Sequence, residues 1–78
     1  MTAQFTKGEI LVAFKDNVST SEQDAAVQGF GLTVKRSYVN INTYLVSVPA
    51  GTEEDWIKKF EQLPSVESAE LNFILTFC

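Results

Sequence analysis

Four stretches of this sequence alternate apolar and polar side chains, as a strand with one buried face does. Residues 8–15 read GEILVAFK, in which Ile10, Val12 and Phe14 occupy every second position. The same period of two recurs in three further stretches: 32–39, 43–49 and 66–73. A period of two places successive side chains on opposite faces of a sheet. The pattern therefore predicts four strands.

Two helical stretches separate these strands. The first begins at Ser19, which stands three positions before Glu22 and so forms a capping box. The second follows Thr52, which we expect to cap it, and three acidic residues lie at the positive end of its dipole. Its apolar residues lie at helical spacing and predict one buried stripe: Trp56, Ile57, Phe60 and Leu63.

The order of these elements is β-α-β-β-α-β, which predicts an α+β protein with the ferredoxin-like split β-α-β sandwich. Residues 1–78 then form a single domain, because a chain of 78 residues has room for no second one. Both helices would cover one face of a four-stranded antiparallel sheet. The other face would stay uncovered and only mildly polar, with four residues at its centre: Leu11, Ala13, Leu45 and Ser47.

Composition excludes several classes of function. The net charge is −4, and the six basic residues are dispersed, which argues against nucleic acid or an anionic membrane as a partner. The chain has no histidine and one cysteine, so Ser-His-Asp chemistry, Cys-His chemistry and a zinc site all lack their residues. We therefore expect no cofactor, no metal and no catalysis.

The last residues of the chain break the alternation. Residues 74–78 read ILTFC, which is apolar on both sides of an extended chain and cannot be satisfied by one sheet. We interpret them as an extended tail that another protein, or a second copy of this chain, must cover.

Three segments of the sequence read GEILVAFKDNVSTSE, GLTVKRSY and NTYLVSVPAGTEEDWIKKFEQLPSVESAELNF. Together they resemble the N-terminal propeptide domain of subtilisin-like serine proteases, a family that also includes free-standing protease inhibitors, and the likeness covers residues 7–75. Its specificity rests on the order and spacing of the segments, since no single segment is a catalytic signature. The resemblance implies a non-catalytic inhibitor or folding chaperone of such a protease.

The resemblance also implies which residues bind. In the family, the open sheet face packs on two surface helices of the protease, and an acidic pair on the last strand caps the N-termini of those helices. The matching positions here are Glu70, which keeps the charge, and Asn72, which does not. The C-terminal tail would lie in the substrate cleft as a product-like strand, through five residues: Ile74, Leu75, Thr76, Phe77 and Cys78.

Several alternatives stay open at this point. Either Cys78 or Phe77 would stand just before the cleavage point, with Leu75 or Ile74 three residues earlier in the apolar subsite. The rival function is a structural module that forms a weak homodimer by edge-to-edge pairing and has no protease partner. Because the sequence starts at a methionine and stops at the processing position that the resemblance implies, we expect either a free-standing inhibitor or a fragment cut from a larger precursor. The start of the chain lacks a signal peptide, so an extracellular location is expected only for a fragment of a secreted precursor.

Overall fold

The computed structural model describes residues 4–74, with side chains for 6–72. It contains four strands and two longer helices in the predicted order. The strands are β1 (Gln4–Phe14), β2 (Thr33–Tyr38), β3 (Thr43–Ser47) and β4 (Val66–Ile74), and the helices are α1 (Thr20–Gly29) and α2 (Glu53–Glu61). A single 3-10 turn, Val39–Ile41, joins β2 to β3. The predicted ferredoxin-like α+β fold is confirmed. Neither α1 nor α2 is long and apolar enough to cross a bilayer.

The strands form one antiparallel sheet in the order β2-β3-β1-β4. The central strands β1 and β3 pair without interruption from Glu9 opposite Ser47 to Ala13 opposite Thr43. The outer pairings contain register shifts, one of them between Val34 and Arg36 in β2. Because a bulge places an extra residue on one strand, Lys35 and Arg36 together face the single residue that β3 offers there.

Both helices pack on one face of the sheet, where the core lies. Phe60 of α2 and Val27 of α1 are completely buried, as are Ile10, Val12 and Val46 of the sheet. The ring of Phe30 meets the Phe60 ring edge to face, with centroids 5.0 Å apart. Edge-to-face contacts of this kind stabilise beyond the area they bury. The apolar stripe predicted for the second helix is confirmed, with Phe60 in the core and Trp56, Ile57 and Leu63 packed half-buried against it.

The two helices begin in different ways. Ser19 caps α1 as predicted, because its Oγ accepts a hydrogen bond of 3.2 Å from the Glu22 N–H. Thr52 occupies the N-cap position of α2, but its hydroxyl donates to the Pro49 carbonyl instead of accepting from the helix. The predicted side-chain cap by Thr52 is therefore wrong. The neighbouring Glu53 turns its carboxylate back to accept from the N–H of Gly51 at 3.0 Å.

The same Glu53 carboxylate also ties α2 to the first strand. Its Oε2 accepts a bond of 2.7 Å from the N–H of Gly8, 45 residues away in the chain. Gly8 has a φ of 81°, and a side chain there would begin 3.3 Å from the Val48 carbonyl oxygen. Glycine is needed at this position because the backbone is left-handed and the neighbouring strand is close. Glu53 and Gly8 thus fix the start of α2 to the edge of the core.

The first strand is longer than the sequence pattern predicts. It begins at Gln4 rather than Gly8, and the pairing with β4 resumes beyond an irregularity, with Phe5 opposite Phe73 and Gln4 opposite Ile74. The backbone of Ile74, which we assigned to the tail, therefore belongs to β4. The remainder of the predicted tail, 75–78, lies outside the described residues.

Candidate functional site: the open face of the sheet

The sheet face opposite the helices carries no covering element among the described residues. Leu11, Ala13 and Ser47 on this face are half-buried. Leu45 is buried, with 8% of it exposed. None of the four belongs to the core under the helices. The register aligns Arg36, Leu45, Leu11 and Glu70 in one row across all four strands. The row has a cation at one edge, two leucines at the centre and a carboxylate at the other edge. Throughout, we call this surface the open face.

The open face is concave at one end. A hollow of about 250 Å³ lies between the β2–β3 connection and β4. Its lining includes Leu11, Ala13, Tyr38, Ile41, Glu70 and Asn72. The hollow therefore combines an apolar floor with hydrogen-bonding groups along the rim formed by β4.

The Val39–Ile41 turn exposes two apolar side chains, and one of them, Ile41, lines this hollow. Val39 is 77% exposed and Ile41 is 65% exposed. Asn42 ends the turn in the left-handed conformation, with a φ of 52°. Asparagine tolerates that conformation better than most residues. A single exposed aliphatic residue is ordinary, but a pair held next to an apolar hollow is typical of a binding surface.

Glu70 and Asn72, the two predicted site residues on the last strand, both lie on the open face. Glu70 is exposed and stands opposite Leu11 in the pairing of β1 with β4. Asn72 is half-buried, and its Nδ2 donates a hydrogen bond of 3.0 Å to Oε1 of Glu9. The sequence pattern placed both side chains on this face correctly, but it did not indicate that Asn72 is tied to another strand.

Sequence reasoning missed Glu9, which is the most connected polar group of the open face. Only 8% of Glu9 is exposed, and its second oxygen, Oε2, accepts a hydrogen bond from the Lys35 ammonium in a salt bridge. The Lys35 bond is the main cause that holds the pKa of Glu9 below its ordinary value, and the Asn72 bond adds to it against the opposing effect of burial. Glu9 is therefore ionised at neutral pH. The sequence did hold one signal for this role: Glu9 is a carboxyl on the outward side of β1, a central strand of the sheet.

Of the five predicted site residues in the tail, the structure describes only the backbone of the first. The backbone of Ile74 is paired in β4. Leu75, Thr76, Phe77 and Cys78 lie outside the described residues, so their predicted role stays a prediction. Among residues 4–74, no three acidic or cysteine side chains come together to hold a metal ion.

Comparison with known families gives an independent assignment. Residues 1–72 match the family model described as the fervidolysin N-terminal prodomain. No curated protein and no solved structure matches the chain. A protease prodomain is not itself a catalytic unit, and it implies association with a subtilisin-like protease. Since the match covers nearly the whole chain, the chain belongs to the fervidolysin N-terminal prodomain-like family, a family of subtilisin-like protease propeptides.

Proposed function

We propose that this domain binds a subtilisin-like serine protease as an inhibitor, as a folding chaperone, or as both. The observation that carries the proposal is the open face, where an apolar floor and a rim of hydrogen-bond acceptors lie side by side on a prodomain-family sheet. The proposed contact joins this face to surface helices of the protease, and it joins residues 74–78 to the substrate cleft.

The rim of the hollow suits the N-termini of helices. The first turn of a helix presents N–H groups that have no partner within the helix, together with the positive end of the dipole. Glu70 offers an exposed carboxylate to such a terminus, and Asn72 offers an amide oxygen. Carboxylate and amide oxygens are both good N-cap acceptors. The leucines and the Val39–Ile41 turn would then cover apolar side chains of the same helices.

The tail is proposed to bind by strand addition. β4 carries Glu70 and Asn72 and runs to Ile74, so residues 75–78 follow directly on the strand that would dock. An extended segment can pair with an exposed strand of the protease, where backbone hydrogen bonds supply affinity and alternate side chains supply specificity. The two registers, with Cys78 or Phe77 before the cleavage point, both remain proposals.

The chaperone role follows from the same contact. A protein that binds only the folded form of a partner stabilises that form. If the open face holds two protease helices in their native arrangement, folding of the protease is favoured. The same mass action stabilises the prodomain itself.

The test compares two charge reversals in the full chain. Glu70→Lys lies on the open face, and the matched control Glu61→Lys lies on exposed α2 on the opposite side. We expect the unchanged chain and Glu61→Lys to slow hydrolysis of a small chromogenic peptide by a bacterial subtilisin. Glu70→Lys should weaken inhibition by about tenfold or more, which corresponds to about 1.4 kcal/mol. A chain that ends at Ile74 should lose most of the inhibition while its circular dichroism stays unchanged.

Two results would count against the proposal. Full protease activity at micromolar excess of the unchanged chain contradicts the inhibitor role toward that protease. A chain that sediments as a dimer, and that becomes monomeric when 75–78 are removed, would instead support the homodimer alternative.

A further inference from the structure

We propose that Glu9 is a positioning residue for the protease contact: it orients the side-chain amide of Asn72 so that the amide oxygen faces the partner. The inference rests on the proposed function, in which Asn72 accepts from a helix N-terminus. It concerns a residue of a different strand, which the resemblance does not assign.

The orientation of Asn72 follows from the chemistry of its neighbour. An ionised carboxylate has acceptors only, whereas an asparagine side chain has a donor end and an acceptor end. Asn72 can therefore meet the Glu9 carboxylate only with its Nδ2, as the bond of 3.0 Å to Oε1 requires. The opposite end, Oδ1, is then turned away from Glu9 and is available as an acceptor.

Glu9 is itself fixed from the other side. Lys35 of β2 reaches across β3 to bond Oε2, so the two carboxylate oxygens have one donor each. The residue of β3 that pairs with Glu9 is Ser47, whose small side chain leaves room for the lysine to pass. The arrangement links β2, β1 and β4 in one chain of hydrogen bonds. A carboxylate held this way cannot rotate to release Asn72 without losing two charge-assisted bonds.

This arrangement gives a physical reason for asparagine at position 72. An aspartate there would place a second carboxylate against buried Glu9, and two adjacent carboxylates disfavour each other's ionised form. Asparagine keeps the acceptor and supplies the donor that Glu9 needs. The acidic pair that the resemblance implies is therefore replaced by one exposed acid, Glu70, and one oriented amide.

The proposal predicts that each single substitution at position 9 or 72 removes the outward-facing acceptor, and that the two substitutions together restore it. In Glu9→Gln, the Lys35 ammonium holds the amide oxygen at position 9, so the amide nitrogen faces Asn72 and Asn72 turns its own oxygen inward to accept. In Asn72→Asp, the two carboxylates repel. In the double variant, the amide nitrogen introduced at position 9 donates to the new carboxylate at position 72, and the amide oxygen accepts from Lys35. An outward-facing acceptor is thereby restored.

The experiment is a double-mutant cycle in the full chain, read as the inhibition constant against bacterial subtilisin and as the midpoint of thermal unfolding. Each single variant should weaken inhibition about three- to tenfold, the range of one hydrogen bond. The double variant should return to within about threefold of the unchanged chain. Restored inhibition is the readout that loss of packing alone would not produce.

Three outcomes separate the claims. If the unchanged chain inhibits and the double variant shows the product of the two single effects, the positioning role is overturned. If the single variants change only the unfolding midpoint and leave inhibition unchanged, Glu9 is structural and the proposal is also overturned. If the unchanged chain itself does not inhibit, the inhibitor role in the proposed function fails, and the inference that rests on it fails with it.

Discussion

The two faces of this sheet are built from alternate residues of the same strands, yet they differ in what they do. On the helix side, Ile10, Val12 and Val46 are completely buried. On the open face, their neighbours Leu11 and Ala13 remain half-buried beside a hollow rimmed by hydrogen-bonding groups. A period of two thus lets one short strand stabilise the fold with one set of side chains and present a binding surface with the other. The comparison predicts that substitutions on the two faces have separable effects.

The largest expected effect on stability comes from the helix side. Phe60→Ala removes a completely buried ring and should lower the free energy of unfolding by about 3–5 kcal/mol. For a small domain, a loss of that size leaves much of the chain unfolded when it is alone. Leu11→Ala on the open face is the matched control, with a smaller cost because the leucine is only half-buried. Urea unfolding followed by circular dichroism measures both, and equal losses would contradict the division between the faces.

A second prediction concerns Glu53, which fastens α2 to β1 on the helix side. The Gly8 N–H is the largest cause that lowers the pKa of this carboxyl, followed by the N–H of Glu53 itself, and burial opposes both. Glu53→Gln should lower the unfolding midpoint at pH 7 by about 5–10 °C.

The same carboxylate predicts a pH dependence. A carboxyl whose pKa is lower in the folded state binds fewer protons there than in the unfolded state. Its contribution is therefore complete above the ordinary glutamate pKa of 4.5 and is lost as the pH falls below that value. Glu9 acts in the same direction. Unfolding midpoints between pH 7 and pH 3 should fall less steeply in Glu53→Gln than in the unchanged chain, and parallel curves would argue against this role.

The smallest expected effect on stability comes from the Val39–Ile41 turn. Ile41→Ser changes an exposed residue, so the free energy of unfolding should stay within about 0.5 kcal/mol. Inhibition of subtilisin should nevertheless weaken by about tenfold, because the side chain stands beside the proposed contact. Ala25→Ser, exposed on α1, is the control on the other side. Equal inhibition by the two variants would remove the turn from the binding surface.

The sequence predicts the fold well because the signals for it are local. Strand alternation, the N-cap at Ser19 and the stripe around Phe60 are each set by residues close together in the chain, and the structure confirms them. Thr52 was assigned wrongly because its hydroxyl turns to the Pro49 carbonyl. The bond from the Gly8 N–H of β1 to Glu53 also had no local signal.

The site is predicted less completely, because part of it depends on contacts between strands that are far apart in the chain. Placing Glu70 and Asn72 on the open face requires only the period of β4. The bond between Asn72 and Glu9 requires the register of β1 with β4, and the salt bridge to Lys35 also requires the pairing of β2 and β1 on either side of β3. These long-range features have no local signal. The role of residues 75–78 stays a prediction from the resemblance.

The central claim is that the partner binds the open face rather than the helices. The most direct measurement is a methyl NMR spectrum of the full chain, labelled at isoleucine, leucine and valine, with and without a catalytically inactivated subtilisin. We expect the signals of Ile41, Leu11 and Leu45 to shift on binding. The signals of Ile57 and Leu63 on the helix side should stay in place. Shifts confined to the helix-side methyl groups, with the open-face signals unchanged, would contradict the account.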